Sequence, residues 1–344
     1  MRKVLIWLSK ATLFALAFLL ALYLLGPRPA VPVFAKKDYP EAASLAELEA
    51  AIQRREAAEP GIKPDCGAKI VWADTSRRVK TPIALLYLHG FGASRQEAAP
   101  LPEDLARHFG CNLYLARMDE HGVDEGDANL CELSADSYAE SAEEALSVAQ
   151  QLGDSVVILG TSGGGALGLF LAARHPEVKG LVTWSPAVRL FRRSAALLPG
   201  PWSVQLARLI TGHDHNEWAF RKPIEQPKYW TNHQCWEGVV QFAVFLKYAM
   251  TPATFAAIRC PVFVGYYYED EEHQDKAVSV AAMREMLAQL STPSGQKREV
   301  NFPNARDHVI SSAILSSDWQ GVERESAAFM QEVMGMQAAG PAIR

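Results

Sequence analysis

Residues 156–164 decide the fold of this chain, and they read Val156-Val157-Ile158-Leu159-Gly160-Thr161-Ser162-Gly163-Gly164. The four apolar residues at the start, three of them β-branched, are typical of a buried strand. The composition of residues 165–174 then favours a helix. A serine on a sharp strand-to-helix turn, with glycines where side chains would collide, is the pattern of an activated nucleophile. The stretch therefore predicts that Ser162 is a catalytic residue at the edge of a sheet.

Strand and helix patterns alternate on both sides of this turn. The predicted strands are 83–88, 112–116, 178–184, 261–268 and 298–302, and the predicted helices are 99–109, 134–152, 279–290 and 318–334. This alternation is typical of an α/β fold with a mostly parallel sheet and helices on both faces.

The alternation stops over residues 187–259, which are rich in proline and tryptophan and contain helical stretches. An insertion between two core strands predicts a helical lid over the carboxyl ends of the strands, where open α/β sheets bind ligands. The tryptophans of this segment are interpreted as its own small core. They are Trp202, Trp218, Trp230 and Trp236.

Two further catalytic positions follow from where loops leave the predicted sheet. His308 lies in the loop between the last strand and the last helix, which carries it to the edge expected for Ser162. A histidine there can accept the serine proton, and a carboxylate on its other ring nitrogen orients it. The loop at 269–275 has five acidic residues among seven. Asp275 is the favoured acid, and Asp270 is the alternative.

Two backbone amides are expected to stabilise the oxygen that becomes negative in a tetrahedral intermediate. One is the N–H of Gly163, directly after the serine, and the other is the N–H of Phe91, in the loop after strand 83–88. Gly90 lets this loop turn toward the site. His89 is interpreted as a residue that holds the loop through hydrogen bonds, not as a catalyst.

Taken together, these motifs resemble the α/β-hydrolase superfamily, and within it the esterase, monoacylglycerol lipase and lysophospholipase-like branch. In chain order they are His89-Gly90-Phe91-Gly92, Gly160-Thr161-Ser162-Gly163-Gly164 and Asp307-His308-Val309. The resemblance implies Ser162 as nucleophile, His308 as base, an acid at 270–275 and an oxyanion hole formed by Phe91 and Gly163.

The chain departs from the pattern of that superfamily at two places. Residues 117–122 replace a turn of the Pro-Gly-His-Gly type, and Asp307 stands where glycine is frequent before the histidine. Neither change removes a catalytic atom, so both bear on which substrate is accepted.

The N-terminus predicts a membrane segment. An uncharged apolar stretch over residues 13–25 follows Arg2, Lys3 and Lys10, and about 20 apolar residues span a bilayer. We expect an uncleaved signal-anchor over 1–26, with a signal peptide cut near Ala35 as the alternative. Basic residues before the segment favour a cytoplasmic N-terminus, which puts the catalytic domain outside the cytoplasm.

The predicted domains follow from these boundaries. After the anchor at 1–26 comes a linker with an amphipathic helix at 27–68. The α/β-hydrolase core occupies 69–186 and 260–336, and the lid occupies 187–259.

Other ligand classes have little support in the sequence. The net charge is −5 and no basic block is present, which argues against nucleic acid. No glycine-rich phosphate loop and no Cys-x-x-Cys pair occur, so we expect neither a nucleotide cofactor nor a metal, and His213-Asp214-His215 is interpreted as a polar turn. Five scattered cysteines permit one disulfide without identifying the pair, and the oligomeric state is open.

The sequence therefore predicts a membrane-anchored serine hydrolase that cleaves carboxylic esters through an acyl-enzyme. Its expected substrates are small-molecule or lipid esters, in the manner of a carboxylesterase, lysophospholipase or monoacylglycerol lipase. The alternatives are hydrolysis of thioesters, amides or carbon–carbon bonds, and a non-catalytic binding protein on the same fold.

Overall fold

A computed structural model of the protein describes residues 2–339, and its centre is a seven-stranded sheet. The strands of the described residues are β1 Lys69–Val71, β2 Thr81–Leu88, β3 Asn112–Leu115, β4 Gly153–Thr161, β5 Gly180–Trp184, β6 His215–Glu217, β7 His233–Cys235, β8 Val262–Tyr266 and β9 Lys297–Asn301, of which β6 and β7 lie outside this sheet. The sheet order is β1-β3-β2-β4-β5-β8-β9, and only β1 pairs antiparallel within it. The prediction of a mostly parallel sheet is confirmed.

Helices cover both faces of this sheet, as predicted. The helices of the described residues are α1 Arg2–Leu24, α2 Leu45–Ala58, α3 Leu101–Phe109, α4 Ala135–Leu152, α5 Gly163–Arg174, α6 Ser203–Thr211, α7 Gln226–Tyr229, α8 Trp236–Ala249, α9 Pro252–Ala257, α10 Val280–Gln289 and α11 Trp319–Glu332. Successive residues of a strand point to opposite faces. Accordingly, Ile158 of β4 belongs to a core with α4, α5 and α8, whereas Leu159 belongs to a second core with α3 and α11.

The ends of α4 show why the predicted boundaries near the site are accurate. The Ser134 hydroxyl accepts the N–H of Ser137, and the Ser137 hydroxyl accepts the N–H of Ser134, which caps the helix from both sides. Gly153 then ends the helix and begins β4. This short connection leads the chain directly into the strand that carries Ser162.

Between β5 and β8 the chain leaves the large sheet, at the place where the sequence pattern breaks. This inserted segment, residues 187–259, contains α6 to α9 and a separate two-stranded hairpin of β6 and β7. Of its tryptophans Trp230 and Trp236 are buried, but Trp230 packs with Ala93 and Val309 outside the segment, so the tryptophans do not form a separate core as expected. The segment contacts the rest of the molecule at several points, one of which is a disulfide between Cys131 and Cys235.

The N-terminal helix α1 projects from the domain. Its apolar residues Ile6–Leu24 form a helix that has the length and composition to cross a membrane, and none of that stretch is buried. The end of the helix contacts the inserted segment, where the Trp202 indole N–H donates to the carbonyl of Leu22 at 3.0 Å. Helix α2 instead packs on the domain through Leu48 and Ile52.

Candidate active site

Ser162 lies on the turn between β4 and α5, with a backbone φ of +52° that is unfavourable for a residue with a side chain. Close packing of the turn requires its glycines. A Cβ atom on Gly164 would lie 1.9 Å from the carbonyl oxygen of Leu88, and one on Gly160 would lie 2.6 Å from that of Gly164. The predicted strand-turn-helix therefore presents the serine at the carboxyl edge of the sheet.

The loops after β8 and β9 bring a histidine and a carboxylate to Ser162. His308 Nε2 lies 2.9 Å from the serine Oγ, and His308 Nδ1 lies 2.6 Å from Asp275 Oδ2. The other Asp275 oxygen accepts the N–H groups of Ala277 and Val278 at 2.8 and 3.0 Å. These bonds fix the carboxylate, which in turn fixes the imidazole.

The electrostatics of the pair follow from its burial. Burial by itself lowers the pKa of His308, but the nearby carboxylates, Asp275 first and then Asp307 and Glu97, together raise it above the ordinary value. The imidazole is thus a stronger base than it would be without Asp275. A hydroxyl, an imidazole and a carboxylate at these distances form an arrangement that can activate the hydroxyl for attack on a carbonyl.

Asp270, the alternative acid, lies away from this array. Its carboxylate is exposed, accepts the N–H groups of Glu272 and His273, and lies 3.0 Å from the ring of His273. The loop turns back at this point because the N–H of Glu269 donates to the carbonyl of His273. Asp270 is therefore directed into solvent while Asp275 is directed inward.

The two predicted oxyanion amides are neighbours. A Cβ atom on Gly163 would lie 3.0 Å from the Phe91 nitrogen and 2.7 Å from the Tyr138 hydroxyl, so this position accommodates only glycine. The Phe91 ring stacks on Phe242 of α8 at 4.4 Å between ring centroids, which holds its loop over the turn that carries Ser162. Two N–H groups placed together beside a serine suit an oxygen that gains negative charge.

His89 is fully buried, and its ring is held by main-chain atoms. Nδ1 lies 2.9 Å from the carbonyl oxygen of Gly90, and the N–H of Met118 donates to Nε2 at 3.1 Å. Burial lowers the pKa of His89 to about 3, so the ring is neutral at physiological pH. These contacts are those of a residue that fastens the loop, as interpreted from the sequence.

Glu97 is a buried carboxyl group near the site that sequence reasoning missed. One of its oxygens accepts the N–H of Gly90 and, at 2.9 Å, the hydroxyl of Tyr87, which also lies 3.0 Å from the hydroxyl of Thr161. Burial raises the pKa of Glu97 to about 7. No sequence motif marks this residue, because only the folded loop brings residue 97 beneath residue 90.

Asp307 also acquires a partner that the sequence does not reveal. Its buried carboxylate forms an ion pair with Arg221 of the inserted segment and accepts the N–H of Val309 at 2.9 Å. Asp307, which stands where glycine is frequent, therefore links the loop that carries His308 to residues 187–259.

The chain is similar to known proteins in sequence and in fold. Residues 83–222 match the family model for the alpha/beta hydrolase fold. The chain has the α/β-hydrolase fold. It is 26% identical over 196 residues to a thermostable monoacylglycerol lipase of a Bacillus species (strain H-257), which covers 56% of this chain and 71% of the lipase.

Solved structures share the fold of this chain. One of two metagenome-derived lipolytic enzymes superposes with a TM-score of 0.62 at 20% identity, over 79% of this chain and 99% of its own. A soluble variant of monoglyceride lipase from Saccharomyces cerevisiae superposes with a TM-score of 0.58 at 14% identity, over 77% and 91%. These structures show the fold alone, and support for ester hydrolysis at the level of the family comes from the sequence similarity of this chain to the monoacylglycerol lipase.

Proposed function

We propose that this hydrolase cleaves carboxylic esters through a covalent acyl-enzyme on Ser162. The observation that carries the proposal is the pair of contacts from His308, at 2.9 Å to Ser162 Oγ and at 2.6 Å to Asp275 Oδ2. The roles are Ser162 as nucleophile, His308 as base and Asp275 as the orienting acid. The exposed position of Asp270 and its pairing with His273 argue against its role as the acid.

In the first half of the reaction, His308 Nε2 accepts the proton of the Ser162 hydroxyl as Oγ attacks the ester carbonyl carbon. The carbonyl oxygen becomes an oxyanion, which the N–H groups of Gly163 and Phe91 stabilise. The carbon–oxygen bond to the alcohol then breaks, and His308 gives its proton to the departing alcohol. Ser162 remains acylated.

In the second half, His308 takes a proton from water, and the resulting hydroxide attacks the acyl carbon. The bond to Ser162 Oγ breaks, the serine regains its proton from His308, and a carboxylic acid leaves. Asp275 remains a carboxylate throughout and stabilises the imidazolium that forms in each half.

A fluorophosphonate probe tests this mechanism, because it phosphonylates only an activated serine. We expect the wild-type enzyme to be labelled and Ser162→Ala to be unlabelled and inactive. Ser311→Ala is a matched control, since it removes a buried hydroxyl that bonds to Thr161 at 3.1 Å and does not touch His308. Equal labelling of wild type and Ser162→Ala, or no labelling of either, contradicts the proposal.

We propose acylglycerol-like or lysophospholipid-like esters as the substrate class. Support comes from the monoacylglycerol lipase relative and from the aromatic side chains around the oxyanion loop, namely Phe91, Tyr138 and Phe242. The inserted segment supplies Phe242 and Arg221, which supports its proposed role as a lid. Rates on p-nitrophenyl esters of increasing acyl length should rise beyond acetate, and a steady fall with length would exclude the lipid-like class.

We further propose that α1 anchors the enzyme in a membrane with the catalytic domain outside the cytoplasm. An apolar helix without buried residues and a Cys131–Cys235 disulfide both support this, because structural disulfides persist mainly in oxidising compartments. Cell fractionation should recover the full-length chain in membranes. A soluble product that lacks residues 1–35 would favour the signal-peptide alternative.

A further inference from the structure

A second polar cluster lies outside the candidate active site, where the β6–β7 hairpin meets the short helical turn at 126–128. It consists of Asp127, His215 and His233, and one ligand atom from each lies within 4.8 Å of the others. His233 Nε2 lies 3.0 Å from Asp127 Oδ1, and His215 Nε2 lies 2.9 Å from the Asp127 carbonyl oxygen. The sequence run that contains His215 predicts only a polar turn, because His233 and Asp127 are distant along the chain.

The spacing suits a small cation. Zinc holds nitrogen and oxygen ligands at about 2.0–2.2 Å in a tetrahedron, which puts neighbouring ligand atoms roughly 3.3 Å apart. The separation between His233 Nε2 and Asp127 Oδ1, 3.0 Å, is close to that value. The three ligand atoms lie within 4.8 Å of one another, so rotation of these side chains brings them to the ligand spacing when a cation binds.

One further feature favours a metal over a simple ion pair. His233 Nδ1 lies 2.8 Å from Glu217 Oε1, and a carboxylate on the second nitrogen is the usual support of a metal-bound histidine. The rings of His215 and His233 stack at 4.0 Å between centroids. An imidazole binds a metal in the plane of its ring, so one of these rings rotates out of the stack when both bind the same cation.

The ligand set also selects the class of cation. Two imidazoles and one carboxylate suit zinc and similar transition metals, whereas magnesium and calcium prefer all-oxygen sites. Asp127 is exposed, with 92% of its side chain accessible, so a metal can reach the cluster from solvent and a water molecule can complete its coordination.

The cluster joins two parts of the chain that are already linked at the same place. Cys131, in the segment of Asp127, forms the disulfide with Cys235, which pairs with His215 in the hairpin. The N–H of Cys235 also donates to the carbonyl of Asn129 at 3.0 Å. A metal here would connect the inserted segment to the core a second time.

We propose that Asp127, His215 and His233 bind one zinc-class divalent cation that stabilises the attachment of the inserted segment to the core. The site is separate from the proposed ester-hydrolysis machinery, so its test does not depend on that activity.

The test uses the full chain in detergent, carrying an affinity tag without histidine and stripped of metal with EDTA. Zinc is then added, and bound metal and the melting temperature are both measured. We expect about one zinc per chain and a rise in Tm on the order of 5 °C under saturating zinc. Magnesium and calcium should produce neither.

Three variants decide the assignment. Asp127→Asn and the double variant His215→Ala/His233→Ala should lose the bound zinc and the Tm shift. His213→Ala, an exposed histidine of the same segment, should keep both. Because Asp127 is exposed, its variant stays folded and keeps the test informative even where the double variant unfolds.

The proposal is overturned if the wild type binds no stoichiometric zinc, which would make the group an ion-pair cluster only. It is equally overturned if Asp127→Asn keeps the full shift, since zinc then binds elsewhere. An equal response to calcium or magnesium would contradict the assigned class of cation.

Discussion

Two buried carboxyl groups lie near Ser162, and they differ in what they contact. Asp275 meets the ring of His308 at 2.6 Å, whereas Glu97 meets only neutral donors, the Tyr87 hydroxyl and the Gly90 N–H. Both side chains are about equally buried, with 1% of each residue exposed. Burial is thus the same for the two carboxyl groups. They differ in that Asp275 contacts a side chain that can become positively charged, whereas Glu97 does not.

The two carboxyl groups therefore have different roles within one site. The contact with Asp275 raises the pKa of His308, so this carboxylate affects how readily the imidazole takes up a proton. Burial without such a partner raises the pKa of Glu97 to about 7, which favours its neutral form as a support for the Gly90 loop. Four substitutions test this distinction, in order of decreasing expected effect.

The largest effect should come from Asp275→Asn. The imidazole loses its orienting charge, so kcat should fall by roughly 10³- to 10⁴-fold. The pKa of His308 should also fall, and since His308 acts in its neutral form, the acidic limb of the kcat/KM profile should move to lower pH. Steady-state kinetics across pH measure both changes. A fall in kcat of less than tenfold would contradict the distinction between Asp275 and Glu97.

The next effect is expected for Gly90→Ala, which places a methyl group between Glu97 and Ser162. The new Cβ would lie 3.0 Å from Glu97 Oε2 and 3.3 Å from Ser162 Cβ. Displacement of the loop or the serine should lower kcat/KM by about 10²-fold. Gly295→Ala is the control, because no atom lies within 4 Å of its Cβ position; equal losses in both variants would argue against the contact.

A smaller effect on catalysis, but a clear one on stability, is expected for Glu97→Gln. The folded-state pKa of Glu97 is raised to about 7, so the wild type loses stability as pH rises from about 4.5 to 7 and does not regain it above pH 7. Glutamine has no charge to lose. The unfolding free energy of the variant, relative to wild type, should therefore increase by roughly 2–3 kcal/mol from pH 5 to pH 8.

Urea unfolding at several pH values measures this difference. Glu272→Gln is the control, because it removes an exposed carboxyl group, and its curve should run parallel to that of the wild type. A Glu97→Gln curve that is also parallel would show that the two buried carboxyl groups do not differ as described.

The smallest effect is expected for Asp270→Asn. Its carboxylate is exposed and pairs with His273 at the surface, and such pairs contribute little to stability. Both kcat and KM should stay within about twofold of the wild type. A loss comparable to that of Asp275→Asn would transfer the acid role to Asp270.

Sequence reasoning succeeded where a local pattern fixes geometry. The turn at Ser162 is determined by nine consecutive residues, since packing at Gly160 and Gly164 excludes larger side chains. His308 follows from chain order, because the loop after the last strand must end at the same edge of a parallel sheet. The fold class and its sheet followed from the same alternation.

The remaining parts depend on contacts between distant segments. Asp275 and Asp270 are both aspartates of the same acidic loop, so the sequence alone does not distinguish them. The hydrogen bond from the Glu269 N–H to the His273 carbonyl turns the loop back, which directs one carboxylate inward and the other outward. Glu97 carries no motif. The β6–β7 hairpin has strands of three residues each, too short for a periodic pattern to reveal.

The disulfide between Cys131 and Cys235, separated by 104 residues, also determines how the molecule responds to a protease. A single cleavage between residues 187 and 234 leaves Ser162 on one fragment and His308 on the other. Both fragments stay in one covalent molecule until the disulfide is reduced. A nicked enzyme should therefore run as one band without reductant and as two with it, and its proposed serine and histidine stay tethered after the cut.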